Sequence, residues 1–124
     1  MQQRLSRYLQ ALSDAKTHSE EQIRLLEGEG RQDEANLEKV RRNVYDIFTA
    51  LANADAAQAR KEADPAEAFG RLHAIRLDRF PEPWRQRLQK AAAHGDVITQ
   101  TIEEAKLKTA ARIWALFQET EETL

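Results

Sequence analysis

The sequence predicts an all-α protein, an up-down-up-down four-helix bundle whose third arm is broken at Pro81 and Pro83. Three observations carry this. Apolar residues recur at steps of three and four, as at Leu37, Val40, Val44, Ile47 and Leu51, which sets them on one helical stripe. Only four Gly and three Pro punctuate 124 residues, too few for a many-turned β fold. A chain that is 32% charged, with a mean hydropathy of -0.73, suits thin amphipathic helices with broad wet faces better than a thick α/β globule. At this length a single domain, residues 1–124, is expected, burying roughly two thirds of the surface exposed when unfolded.

The first helix is expected from Gln2 to about Glu27, with Leu5, Leu9, Leu12, Ile23 and Leu26 in phase. Lys16 and Ser19 interrupt its stripe. Ser19 and Gln22 have the spacing of a capping box that could begin a new helix, but the phase survives from Leu12 to Ile23 and favours one continuous helix. Polar residues on a core stripe are costly if buried without partners, and such interruptions more often set register than do chemistry.

Gly28 and Gly30 predict a turn near 28–32, and Asp33 with Glu34 is suitable first-turn chemistry for a second helix running to around Lys61. The competing reading is one unbroken helix of about 55 residues in a coiled-coil dimer, because Gly30, Asp33 and Leu37 continue the heptad from Leu26. The end of the second helix is rich in alanine (Ala50, Ala52, Ala54, Ala56, Ala57, Ala59), which permits close helix approach.

Asp64-Pro65-Ala66-Glu67 is the strongest local signal: Asp at N-cap, Pro at the first helical position and Glu at N3. A third helix begins there, carrying Phe69, Leu72 and Ile75. Pro81 removes a donor and disfavours helix at Phe80, so this arm breaks, and Pro83 opens a short segment facing inward through Trp84 and Leu88. His94-Gly95-Asp96 reads as a stop with Gly left-handed, then a new Asp N-cap. The final helix, Val97 to about Thr120, is apolar at Ile98, Ile102, Ala105, Ile113 and Leu116, and its face widens at Trp114 and Phe117. Trp114, Leu116 and Phe117 are therefore the expected interface or deep-core residues.

Composition excludes several classes of chemistry. Without cysteine there is no disulfide, thiolate metal site or cysteine nucleophile. No nucleophile elbow, P-loop or dinucleotide fingerprint occurs, so no cofactor is expected. The start of the chain lacks the apolar run of a signal peptide, and no stretch approaches the roughly 18 apolar residues of a membrane span, so a soluble, cytoplasmic protein without membrane partners is the expectation. A net charge of -2 and pI near 5.9 make nucleic acid an unlikely partner.

Three leads remain beside that reading. Asp14 and His18 are four apart, and a turn near residue 30 would set Asp46 opposite Asp14, giving a divalent-metal site with Tyr45 and Lys16 as neighbouring ligand-binding groups and His73 as a further candidate. The bland reading is a solvated i,i+4 pair. Arg71, Arg76, Arg79, Arg85 and Arg87, interleaved with Phe80 and Trp84, could grip phosphates or nucleic acid. The bland alternative is that the aromatics pack the break while the arginines pair with the acidic final helix. His73 beside Phe69 and Leu72 reads as a satisfied, half-buried side chain, and His94 as a cation at a helix C-terminus. The expectation that follows is a structural or protein-interaction bundle, enzymatic activity undecided but not favoured, acting as a homodimer. A metal- or small-ligand-binding bundle is the alternative.

Overall fold

The computed structural model describes residues 1–122, and the chain is all-α: α1 (Gln2–Gly28), α2 (Gln32–Ala59), α3 (Pro65–Arg79), α4 (Glu82–Ala93) and α5 (Val97–Glu122). Joining α3 and α4 across their break leaves four arms, a count that fits an up-down-up-down course. No strand occurs among the described residues.

The signals that start and stop these helices are local. α1 ends in a Schellman motif. Arg31 N–H donates to the Leu26 carbonyl at 2.9 Å and Gly30 N–H to that of Glu27 at 3.1 Å, with Gly30 left-handed at φ 74°. The long coiled-coil helix is thereby overturned, since a chain reversing at Gly30 cannot carry the heptad onward. The same motif recurs after α4, where Gly95 has φ 69° and Asp96 N–H donates to the Ala91 carbonyl at 2.9 Å. Asp64 accepts the Glu67 N–H at 3.2 Å to start α3, and Asp96 accepts the Thr99 N–H at 3.1 Å to start α5. The Thr99 side chain, together with that backbone N–H, holds the Asp96 carboxyl below its usual range.

α1 is continuous through Ser13–Ser19, so no new helix starts at Ser19. Lys16 lies at the edge of the α1–α2 hairpin, where its ammonium meets Asp46 at 2.8 Å, and Lys39 meets Glu27 at 3.2 Å nearer the turn. These cross-hairpin pairs mark the register, at exposed positions where each contributes little stability.

One hydrophobic cluster draws on every helix: Tyr8 and Leu12 from α1, Val44 and Phe48 from α2, Phe69 and Leu77 from α3, Trp84 from α4, Ile113 and Phe117 from α5. The stripe expected along α2 is displaced. Of Leu37, Val40, Val44, Ile47 and Leu51 only Val44 is buried, whereas Tyr45, Phe48, Ala52, Ala56 and Ala59 are. Alanines on that second set of positions let α3 approach closely, and the helix turns its deeper face toward it.

At the break, Phe80 meets Phe48 and Trp84 edge-on at 5.8 Å each, so the aromatics pack the joint as the bland reading has it. Beyond Pro81, α4 packs on α5 while α2 is contacted by α1, α3 and α5. The third arm therefore turns away from the first part of α2. No helix among the described residues is long and apolar enough to cross a membrane.

Candidate functional site

A polar chain crosses the core, built from residues of three helices. Tyr8 of α1 is in phase with Leu5 and Leu12, Asp55 of α2 with Phe48, Ala52 and Ala59, and His73 of α3 with Phe69 and Leu77, so each backbone helix aims its polar group inward with its apolar neighbours. His73 and Tyr8 are fully buried and Asp55 nearly so. Tyr8 Oη lies 2.7 Å from His73 Nε2, and His73 Nδ1 lies 2.9 Å from Asp55 Oδ2. Arg76, one turn on from His73, donates Nη2–H to Asp55 Oδ1 at 2.8 Å and reaches the surface with its side chain 41% exposed.

The protonation pattern follows from these partners. An ionised Asp55 only accepts, so His73 Nδ1 carries the proton toward it and Nε2 accepts the Tyr8 O–H. Burial pushes the His73 pKa down, favouring this neutral ring, and outweighs the opposing pull of Asp55. The ring stacks on Phe69 at 5.7 Å and meets Tyr8 and Phe117 edge-on at 5.0 Å each. The Tyr8 hydroxyl, both His73 ring nitrogens and both Asp55 carboxylate oxygens are thus partnered.

Hydroxyl, imidazole and carboxylate in this order resemble a nucleophile, base and orienting acid. Access and acidity separate them from one. The Tyr8 hydroxyl meets no solvent, and burial together with the nearby Asp55 charge raises its pKa. The network holds three helices in one arrangement, and its outer end, Asp55 with Arg76, lines a hollow at the surface.

A second buried charge ties the ends of the bundle. Arg4 stacks over the Phe117 ring at 3.9 Å, donates Nε–H to Thr120 Oγ1 at 3.1 Å and Nη2–H to the Phe117 carbonyl at 3.3 Å. A cation at the C-terminal end of α5 also complements the helix dipole. Gly70 makes the room, since a Cβ there would sit 2.9 Å from Arg4 Nη1.

The expected metal set does not converge. The hairpin register places Lys16, not Asp14, on Asp46, while Asp14 accepts from Gln10 at 2.8 Å and His18 is exposed. No group of three or more His, Asp or Glu that could hold a metal occurs among the described residues. His73 belongs to the core network instead. Tyr45 is buried, which raises its pKa, and it lies apart from the exposed Asp46 because consecutive helical positions diverge.

The arginines are mostly engaged. Arg71 bonds Glu67 at 3.2 Å, Arg85 bonds Glu82 at 2.9 Å, Arg76 is held by Asp55, and Arg87 reaches the buried Glu103 at 3.4 Å. Among the described residues only that last pair joins the basic third arm to the acidic final helix, and Arg79 makes no ion pair. Phe117 lies in the core against Tyr8, Phe69 and His73, the deep-core one of the two placements expected for it. Trp114 and Leu116 are partly buried against the same core.

Exposed apolar surface lies at the other end of α5. Val97 is 69% and Ile98 77% exposed. With Ile102 they line a groove of about 500 Å³ against Leu37 and Val40 of α2, flanked by Asp33 and Glu34. It opens where α4 has turned away from α2. No protein-family model, curated protein or solved structure matches the chain significantly.

The sequence reading missed Asp55, Tyr8 and Arg4. A signal existed for two of them: Tyr8 sits at spacing three and four between Leu5 and Leu12, and Asp55 shares a phase with Phe48 and Ala52.

Proposed function

We propose that the chain is a non-enzymatic protein-interaction bundle that acts as a homodimer. The observation that carries this is the α2–α5 groove, an exposed apolar surface in which Ile98 is 77% open to solvent. Contiguous exposed apolar surface on a soluble bundle is costly and is characteristic of a docking site. The burial of Tyr8 and His73, each bonded to a partner within this chain, supports the non-enzymatic half of the reading. Sedimentation at micromolar concentration is expected to give a species near twice 14.2 kDa, and a 14.2 kDa species alone would overturn the homodimer.

A further inference from the structure

We propose, building on the homodimer reading, that the α2–α5 groove of one copy receives the α3 face around Ile75, Arg79 and Phe80 of the other. Both surfaces expose apolar side chains to solvent. Ile75 is 42% and Phe80 37% exposed, and with Leu72, Arg76 and Arg79 they line a hollow of about 410 Å³ beside Asp55. Arg76 is already neutralised by Asp55, which leaves Arg79 as the charge this face can offer. The groove is lined by Asp33 and Glu34 and by no basic residue, and since Arg31 already holds Glu34, Asp33 is the charge the groove can offer.

Charge decides the pairing. Groove against groove would set Asp33 against its own copy, and face against face would set Arg79 against Arg79. Groove against face brings Arg79 to the acids and buries Ile75 and Phe80 beside Ile98 and Leu37, so repulsion disfavours both alternatives. Stable interfaces bury on the order of 1,200 Å² or more, and a two-fold dimer makes this contact twice, each copy lending its groove and its α3 face.

The test is analytical ultracentrifugation of two exposed-site variants, Ile98→Asp in the groove and Ile75→Asp on the α3 face, and of a charge exchange across the contact. Circular dichroism confirms that each variant folds. Each alone is expected to weaken the dimer by more than about tenfold, since a charge would enter a desolvated contact. Arg79→Glu should likewise weaken the dimer, and adding Asp33→Arg to the same chain should restore it, because the exchange re-forms the opposite-charge pair at both copies of the contact. A wild-type monomer would remove the homodimer reading and this proposal with it. A wild-type dimer indifferent to both aspartate variants would leave the homodimer standing and overturn the pairing. A dimer that Arg79→Glu weakens and Asp33→Arg does not restore would also overturn it.

Discussion

His73 Nδ1 lies 2.9 Å from Asp55 Oδ2 in a setting where neither residue is meaningfully open to solvent. The pair joins α2 to α3, and through Nε2 the ring extends the join to Tyr8 of α1.

Tyr8→Phe keeps the ring and removes the hydroxyl, leaving His73 Nε2 as a buried acceptor without a partner. Stability is expected to fall by about 1–3 kcal/mol. Urea denaturation of the variant measures this, and an unchanged midpoint would mean the hydrogen bond contributes nothing.

The same ring sets a pH dependence. The folded pKa of His73 lies below its ordinary value of 6.5, so the unfolded chain takes up the proton more readily than the folded one. Stability from this group is full above about 6.5 and declines as pH falls from there toward the folded pKa. Tyr8 acts in the opposite sense at the alkaline end: its folded pKa is raised, so its contribution is full below 10.0 and declines as pH rises past that value. Denaturation midpoints should therefore be lower at pH 5 than at pH 7.5. Nitrogen-15 NMR of the imidazole should show a neutral Nδ1–H tautomer at neutral pH, and an Nε2–H tautomer would contradict the assigned network.

Two glycines two residues apart should respond oppositely to alanine. Gly28 is within α1 with nothing within 4 Å of a built Cβ, so Gly28→Ala should stabilise by up to about 1 kcal/mol. Gly30 holds φ 74°, where a Cβ is strained, and Gly30→Ala should cost about 1–2 kcal/mol. Thermal melts of the two variants shifting in the same direction would refute the Schellman turn.

Ala56 is fully buried in the α2 core face. Ala56→Leu should therefore cost about 1–3 kcal/mol by overpacking, despite better burial of apolar area. A variant as stable as the wild type would show a looser helix contact than the structure has.

Helix existence and ends were legible in the residues themselves. Asp64-Pro65, Gly30, Pro81, Gly95 and Asp96 act over one turn, through bonds to residues two to five positions away, so they read the same in the sequence and in the fold. Periodicity told which residues were apolar but not which half of a broad stripe lay deepest, and α2 shows the difference at Val44 against Ile47. The candidate metal set failed on a small displacement of register, which put Lys16 opposite Asp46 where Asp14 had been expected.

The chain alone therefore specified the helical class, the four arms and the break in the third, because capping, proline geometry and left-handed glycine are settled within a turn. Tertiary packing alone made Asp55, His73 and Tyr8 into one network and left Ile98 exposed. The Tyr8–His73 bond spans 65 positions along the chain, and in sequence Asp55 is one more acid on an alanine-rich helix until α3 closes over it. Likewise Ile98 reads as core by its spacing, and it is uncovered only because the break at Pro81 leads α4 away from α2.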